Sequence, residues 1–171
     1  MKKFYFGGKF NKKEKAYSGQ ALSERLSNDY RAKLLGDSTL LTYASEGLKL
    51  NDNMEYVGCF YCEKASDGHF TSVDCNEVVK SELEAIDRSD VFIAYFDENF
   101  SAGTIAELIY ASVKNKEIRI FYKETATTYS IHSEYWFPMV MGSQLNKSLI
   151  MTKVESADEM LKIIMQQGVK T

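Results

Sequence analysis

The chain has 171 residues and a net charge of −3, and 44% of its residues are hydrophobic and 26% charged, values typical of a single globular domain, here residues 1–171. The acidic balance argues against a general nucleic-acid-binding protein, which needs an excess of Lys and Arg to neutralise phosphates. No apolar run approaches the roughly 20 residues needed to cross a bilayer, so neither nucleic acid nor a membrane is expected as a partner.

The N-terminal part of the chain is predicted to contain one clear strand and one clear helix. Residues 4–6 are a short aromatic strand that ends at Gly7 and Gly8, and such glycine pairs mark tight turns. This run is also too short for the apolar core of a signal peptide. Residues 17–35 are a predicted helix, because leucines recur on one side and Gly36 follows its end. Two weaker strand candidates follow in a polar region: residues 40–43 and 54–61.

A strand between two helices is predicted in the middle of the chain. The first helix begins at a cap, Ser72 or Asp74, and ends at Arg88. Val91–Phe96 is apolar throughout and shows no alternation, so we expect this strand to be buried on both faces. The second helix covers residues 104–116. The buried stripe of the first helix is expected to consist of Val79, Leu83 and Ile86.

The C-terminal part is predicted to add strands at residues 118–122 and 149–151, an irregular segment at 125–147, and a last helix at 156–167. Strands that alternate with helices over this length are typical of βαβ units. The predicted fold is therefore α/β, flavodoxin-like or Rossmann-like, with a largely parallel five-stranded sheet and helices on both faces. The glycine-rich signatures of dinucleotide sites and P-loops do not occur in the sequence.

The cysteines bear on the compartment and on metal binding. Three cysteines are an odd number for a disulfide framework, which favours a reducing, cytoplasmic location. Cys59, Cys62, His69 and Cys75 form the pattern C-x2-C-x6-H-x5-C, which admits a zinc interpretation. The spacing between its halves is not a usual structural-zinc pattern, and Cys59 alternates with apolar neighbours as a small core residue does. We expect buried thiols and no metal, with zinc as the alternative.

Glu107 is the first candidate for chemistry. It follows the strand Val91–Phe96, a short polar loop and a Gly103-Thr104 step, in the first turn of the predicted helix. Ligands of open α/β sheets bind outside the carboxyl ends of the strands, where helix N-termini favour negative charge. Thr104 and Glu107 also match the T-x-x-E capping box, in which the glutamate bonds to a backbone amide. The other interpretation is a carboxylate nucleophile that forms a glycosyl ester with a sugar.

Glu82 is the second candidate, because it lies at the margin of the apolar stripe that faces the sheet. A nearly buried carboxylic acid needs partners or has a raised pKa. A raised pKa is what a general acid needs to protonate a departing base near neutral pH. In the alternative, the helix is rotated slightly and Glu82 is solvated beside Lys80.

Three further residues stand where predicted strands end or helices begin. Tyr5 ends the first strand, where it is either a core residue or one whose hydroxyl reaches a polar partner. Asp97 directly follows the central strand and either binds sugar hydroxyls or only solvates the loop. Ser101 lies two residues before Gly103, where its hydroxyl and exposed amides can together hold a hydroxyl or phosphate.

The order and spacing of these features resemble the nucleoside 2-deoxyribosyltransferase family. The likeness rests on the opening FYFGGKF, on a central strand entered through Asp90, and on a helix start of the form G-[x]-x-x-E. It is strongest in residues 3–26 and 81–123 and fainter in 139–146. The resemblance implies a flavodoxin-like enzyme that cleaves the N-glycosidic bond of a 2′-deoxynucleoside. Such an enzyme passes the deoxyribosyl group, through a covalent glutamate intermediate, to another nucleobase.

The resemblance also implies roles for individual residues. Glu107 would be the nucleophile, and Tyr5 the tyrosine that positions it. Glu82 stands eight residues before Asp90, where the family has a shorter aspartate that meets the nucleobase. Met139 matches a methionine lent to the pocket of a neighbouring subunit, which implies a homo-oligomer. The remaining expected substrate contacts are Gly7, Asp97, Ser101 and Gly103.

Ser101 opens an alternative substrate. It stands six residues before Glu107, where the transferases often carry an aspartate that holds the sugar 5′-hydroxyl. A serine there resembles the related deoxynucleoside 5′-monophosphate N-glycosidases, in which small hydroxyls hold the phosphate.

From the resemblance as a whole, we predict a nucleoside 2-deoxyribosyltransferase that needs no cofactor and acts on nucleosides or nucleotides and nucleobases. That hydrolase is the first alternative, and a non-catalytic nucleotide-sensing module is the second.

Overall fold

The computed structural model describes residues 1–9, 26, 29–42, 47–60, 65–66, 69–70, 75–97, 101–124 and 136–167. The strands within them are β1 (Lys2–Gly8), β2 (Leu48–Asn51), β3 (Met54–Gly58), β4 (Ala65–Ser66), β5 (His69–Phe70), β6 (Val91–Phe96), β7 (Glu117–Tyr122) and β8 (Ile150–Lys153). The helices are α1 (Tyr30–Leu35), a 3-10 helix (Ser38–Thr42), α2 (Cys75–Arg88), α3 (Ala102–Val113), α4 (Trp136–Leu145) and α5 (Ala157–Gln167). None of these described helices is long and apolar enough to cross a membrane.

Six strands form one mostly parallel sheet in the order β2-β3-β1-β6-β7-β8, and β4 pairs with β5 in a separate ribbon. This confirms the predicted α/β fold, but the sheet has one strand more than the five expected. The additional strand is β2, which runs antiparallel to β3 at the edge. Its sequence LKLN alternates apolar and polar residues, but four residues within a polar region are too few to establish a strand period. The turn after it is closed by Asn51, whose Oδ1 accepts from the Asn53 N–H over 2.9 Å.

Alternate residues of β1 divide the core into two clusters, one on each face of the sheet. Phe4 and Phe6 pack with residues of α1 and α5. Tyr5 points to the opposite face and packs with residues of α2, α3 and α4. Strand β6 contributes to both clusters, which confirms its predicted burial on both faces. Helices therefore cover both sides of the sheet, as expected.

Several predicted boundaries agree with the structure. Strand β6 begins and ends where the sequence predicts, and α2 ends at Arg88. Gly36 follows α1 with a φ of 76°, and its N–H bonds to the Ala32 carbonyl over 2.9 Å, so it is the predicted C-terminal cap. The predicted continuous helix over residues 17–35 is wrong, because Asp29 has an extended backbone and is the N-cap of α1. Within that span the structure describes residue 26 and residues 29–35. Two predicted helix caps lie outside the described residues: Ser72 and Asp74.

The predicted strand at residues 40–43 is wrong for residues 40–42, the part of it that the structure describes. Asp37 Oδ1 accepts from both the N–H and the hydroxyl of Thr39, over 2.8 and 2.7 Å, and this turn begins the 3-10 helix Ser38–Thr42. Leu41 is fully buried in the core. The apolar character of this segment therefore reflects a core anchor and not a strand.

The sequence predicted an irregular segment over residues 125–147 and therefore missed helix α4. Its sequence WFPMVMGSQL has apolar residues on every side, so no helical period distinguishes a buried face. Pro138 lies in the first turn, where the missing N–H costs no helical bond. Residues 125–135 of the same segment lie outside the described part of the chain.

Helix α2 is rotated relative to its predicted buried stripe. Val79 is 57% exposed, whereas Ala85 and Ile86 are buried. The expected membership of Val79 in the stripe is therefore wrong. Glu82 lies on the buried side, one helical turn before Ile86, and it reaches Tyr5 of β1.

The carboxyl ends of β3, β1 and β6 meet at one edge of the sheet. Strand β1 pairs in parallel with β3 on one side and with β6 on the other. The chain thus leaves β1 on one side and later returns to its other side, which makes this edge a topological switch point. Open α/β sheets bind ligands in the crevice at such points.

Candidate active site

Four side chains from four elements meet at this edge of the sheet. They are Tyr5 of β1, Cys59 just after β3, Glu82 of α2 and Glu107 of α3. One carboxylate oxygen from each glutamate and the Cys59 sulfur all lie within 4.8 Å of one another. The structure therefore brings together the three residues that the sequence predicted to be catalytic, and it adds a thiol that the sequence did not.

Tyr5 is the centre of the cluster. Its ring is fully buried and stacks on Phe92 at a centroid distance of 5.5 Å and an interplanar angle of 11°. Its hydroxyl lies 2.9 Å from Glu107 Oε1 and makes a short contact with Glu82 Oε2. Tyr5 is thus both a core residue and a hydrogen-bond partner of two carboxyl groups, so the two sequence interpretations hold together.

Two glycines make room for these contacts. A Cβ at Gly58 would lie 2.7 Å from the ring of Tyr5 and 3.0 Å from the Ala85 Cβ. A Cβ at Gly7 would lie 3.0 Å from Glu107 Oε2. Gly7 was expected to contact substrate; in the structure its backbone lies directly against the Glu107 carboxyl group. Gly58 was missed, because its requirement comes from a tyrosine more than fifty positions away.

Glu107 is not part of a capping box. The N-cap of α3 is Ser101, whose Oγ accepts from the Thr104 N–H over 3.4 Å and bonds to the Thr104 hydroxyl over 2.8 Å. Glu107 is therefore in the second helical turn, and the prediction of a first-turn glutamate is wrong. Its carboxyl group contacts Tyr5, so the capping interpretation does not explain this residue.

Glu82 is half-buried and has two hydrogen-bond partners. The Cys59 thiol lies 3.2 Å from its Oε1, and the Tyr5 hydroxyl contacts its Oε2. The alternative of a solvated Glu82 beside Lys80 is wrong, because Lys80 instead lies 3.9 Å from the exposed Glu84.

Burial governs the electrostatics of this cluster. Burial, helped by the nearby charge of Glu82, raises the pKa of Glu107 to about 7, although the Tyr5 hydrogen bond opposes the shift. Burial also raises the pKa of Glu82, against the hydrogen bonds from Tyr5 and Cys59. Burial and the neighbouring acids raise the pKa values of Tyr5 and of Cys59 well above their usual ranges. Tyr5 and Cys59 are therefore protonated donors near neutral pH.

The single proton of the Tyr5 hydroxyl limits the protonation state of the glutamates. That hydroxyl can donate to only one of the two carboxyl groups at a time. Its contact with the other carboxyl group is a hydrogen bond only when that group is protonated and donates to the tyrosine oxygen. The raised pKa values of Glu82 and Glu107 favour such a shared proton. The arrangement supplies one carboxylate and one carboxylic acid side by side.

A buried ion pair supports the carboxyl end of β1. Arg31 Nε and Nη2 each donate to the Asp29 carboxylate over 2.8 Å, and both side chains are almost fully buried. Arg31 Nη1 also donates to the carbonyl of Gly8 over 3.1 Å, and the Tyr30 hydroxyl donates to the carbonyl of Gly7 over 2.7 Å. Nothing in the sequence pattern marks Tyr30 and Arg31 as supports of β1, because the carbonyls to which they donate belong to another element.

The remaining residues that the sequence predicted to contact substrate are not part of this hydrogen-bonded cluster. Asp97 follows β6 and is partly exposed, and Gly103 is exposed in the first turn of α3 with open space beside it. Their contacts with substrate stay predictions, as does that of Ser101. Met139 is fully buried in the core of its own chain. A methionine lent to a neighbouring subunit has to be exposed, so the structure does not support that role.

The described residues include one group of donors that could hold a metal: Cys59, Glu82 and Glu107. These atoms already bond to one another or to Tyr5, and a cation would have to displace those bonds. The four-ligand zinc interpretation is not tested, because the side chains of Cys62, His69 and Cys75 lie outside the described part.

No protein-family model and no curated protein matches the chain. Among solved structures, it is similar to the CMP N-glycosidase BcmB of Clostridium botulinum, with a TM-score of 0.55 and 16% identity over 97% of this chain and 99% of that one. At this identity the likeness concerns the fold. It is also similar to the translation elongation factor SelB of Methanococcus maripaludis in complex with a GTP analogue, with a TM-score of 0.41 and 13% identity over 99% of this chain and 34% of that one. That score is too low to establish a shared fold.

Proposed function

We propose that this protein is an enzyme that cleaves the N-glycosidic bond of a nucleoside or nucleotide, with Glu107 as the nucleophile. The observation that carries the proposal is the meeting of the Glu82 and Glu107 carboxyl groups around the Tyr5 hydroxyl. One oxygen of each group lies within 4.8 Å of the other. Glycosidases that form a covalent intermediate hold their carboxyl groups about 5–5.5 Å apart, whereas inverting enzymes need about 6.5–9.5 Å to admit a water. The short separation favours the covalent route.

In the first step, a carboxylate oxygen of Glu107 attacks C1′ of the sugar and the C1′–N bond breaks. The electron pair of that bond goes to the departing nucleobase, and Glu82 donates its carboxylic proton to the base. In the form of the pair that reacts, the shared proton is on Glu82, and the Tyr5 hydroxyl donates to the Glu107 carboxylate and orients it until the attack. The step yields a free base, a glycosyl ester on Glu107 and a carboxylate on Glu82.

In the second step, an acceptor attacks C1′ of the ester and Glu82 takes the proton of that acceptor. The C1′–O bond to Glu107 breaks, and its electron pair restores the carboxylate. A nucleobase as acceptor gives glycosyl transfer, and water gives hydrolysis. Two carboxyl groups suffice for both outcomes, so the proposed reaction requires no cofactor.

Transfer and hydrolysis each have an observation in their favour. The resemblance of residues 3–26 and 81–123 to nucleoside 2-deoxyribosyltransferases favours transfer of deoxyribose to another base. Hydrolysis of a nucleoside 5′-monophosphate is favoured by Ser101 and by a first turn of α3 that carries no acidic residue, because an acid there would repel a phosphate at the helix N-terminus. The similarity in fold to a CMP N-glycosidase points the same way.

A chromatographic assay separates these outcomes. Deoxyinosine, deoxyuridine and their 5′-monophosphates, together with CMP, are incubated with the enzyme, each with and without added adenine. A new nucleoside that forms only with adenine establishes transfer, whereas free base from the monophosphates alone establishes the hydrolase. Binding of these compounds without release of any base would contradict the proposal and favour a nucleotide-sensing module.

The covalent step is tested on the same substrates. We expect Glu107→Gln to lower turnover by roughly 10⁴-fold or more, because an amide cannot form the ester. Glu84→Gln removes an exposed glutamate of α2 and serves as the matched control with parental activity. Mass spectrometry of rapidly quenched parent enzyme should find a glycosyl adduct on the peptide that contains Glu107. Turnover that persists in a folded Glu107→Gln variant would exclude this residue as the nucleophile.

A further inference from the structure

Cys59 is rigidly held beside the proposed general acid. Its backbone N–H donates to the Phe6 carbonyl over 3.4 Å, and its own carbonyl accepts from the buried hydroxyl of Tyr56. Only 7% of the residue is exposed. The backbone that carries the thiol is therefore held just after β3 by contacts that do not involve Glu82.

The thiol and Tyr5 hold the two oxygens of Glu82 from two different strands. The Cys59 sulfur lies 3.2 Å from Oε1 and 3.9 Å from its other acceptor, the Phe60 carbonyl. Oε2 of Glu82 contacts the Tyr5 hydroxyl. The carboxyl group thus has one orientation, with each oxygen in contact with a different partner. The thiol stays protonated near neutral pH, because burial and the adjacent Glu82 raise its pKa.

We propose that Cys59 is a positioning residue of this site, whose thiol proton fixes Oε1 of Glu82 and stabilises the carboxylate that remains after Glu82 has protonated the departing base. The kinetic consequences of this inference rest on the proposed function. The consequence for the titration of Glu82 does not, because the contact exists in the free protein.

The titration of Glu82 is the first test. The carboxyl ¹³C resonance of Glu82, assigned by its loss in Glu82→Gln, is followed against pH in the parent, Cys59→Ala and Cys59→Ser. Removing a donor to the ionised form raises a carboxyl pKa, so we expect Cys59→Ala to raise the pKa of Glu82 by about half a unit to one unit. Cys59→Ser keeps a donor and should return the pKa of Glu82 most of the way to the parent value. The return should be incomplete, because the shorter C–O bond weakens the contact.

The pH dependence of turnover is the second test. With Cys59→Ala, we expect kcat to fall about tenfold and the alkaline limb of the profile to move to higher pH, with KM almost unchanged. Cys59→Ser should restore much of kcat and much of the position of the alkaline limb. A cysteine that only fills space would lower stability without moving the alkaline limb.

The controls keep the two proposals separable. Ser89→Ala removes another buried donor, whose hydroxyl bonds to the Ile86 carbonyl near the end of α2, and should leave the Glu82 titration as in the parent. If the cavity in Cys59→Ala prevents folding, Cys59→Val fills it without a donor. An unchanged Glu82 titration in either variant overturns the role of Cys59. A shifted titration in a protein that turns over no substrate would keep the contact and reject the proposed function.

Discussion

The Tyr5 hydroxyl lies 2.9 Å from Oε1 of Glu107, although 102 positions separate the two residues in sequence. The same hydroxyl contacts Glu82. Tyr5 therefore links two carboxyl groups whose pKa values are both raised by burial, and the pair is poised to hold one proton near neutral pH.

Replacing Tyr5 by Phe should separate its packing from its hydroxyl. The ring keeps its stack on Phe92, so the melting temperature should change little. The hydroxyl donates to whichever carboxyl group is ionised, so its loss raises the pKa values of the pair and moves the whole pH–rate profile to higher pH. We expect kcat to fall by about 10²-fold. An unchanged profile would show that the hydroxyl plays no part in the protonation of the pair.

The role of Glu82 as acid predicts a dependence on the leaving group. In Glu82→Gln, cleavage of natural nucleosides or nucleotides should slow by about 10²–10⁴-fold, which is the usual contribution of a general acid. For an analogue whose leaving group departs without a proton, Glu82→Gln should slow cleavage far less. Equal losses on both substrates in steady-state assays would assign Glu82 to binding, and Glu84→Gln is again the control.

The pKa of Glu107 predicts that the nucleophile destabilises the fold at high pH. A glutamate whose pKa rises from 4.5 to about 7 on folding contributes stability that is fully present below pH 4.5 and is lost as pH rises through about 7. The lost contribution is about 3 kcal/mol. In urea unfolding, Glu107→Gln and the parent should have similar free energies of unfolding near pH 5. At pH 8 the variant should have the higher free energy of unfolding. A constant difference across this range would contradict the raised pKa.

The buried ion pair of Arg31 and Asp29 should matter more for stability than any exposed pair. Arg31→Met leaves the buried Asp29 carboxylate without its partner, and we expect this to cost about 3–5 kcal/mol of unfolding free energy. Lys33→Met removes the exposed pair with Asp158, whose side chains are 50% and 60% exposed, and should cost at most about 1 kcal/mol. Similar urea midpoints for the two variants would show that the buried pair contributes no more than the exposed one.

Local sequence patterns predicted much of the scaffold but not the face of every helix. Val91–Phe96 lacks alternation because both of its faces are covered, so its pattern alone identified it. The pattern in α2 misassigned Val79, since hydrophobic spacing defines a stripe only to within about one residue. Strand β2 was missed because its alternating pattern is only four residues long, and helix α4 because it is apolar all round.

Within the candidate site, position near the ends of elements singled out Tyr5 and Glu107, and position at the margin of an apolar stripe singled out Glu82. They were not enough to decide between a cap and a functional carboxyl group for Glu107. That decision came from Ser101, which occupies the N-cap of α3 and leaves the glutamate free to reach β1. Cys59 and Gly58 were not identified as members of the site, because their importance lies in contacts with Glu82 and Tyr5 across the sheet.

The sequence by itself determined the alternation of strands and helices and thereby the α/β class, because periodicity and chain breaks are local properties of the polypeptide. Only the tertiary structure decided which polar groups meet. Parallel pairing of β1 with β3 and β6 brings their carboxyl ends to one edge. Burial there raises the pKa values of two glutamates from different helices, since a charge is costly where water is excluded. Register and burial are properties of the assembled chain, and they turn four separate side chains into one hydrogen-bonded cluster.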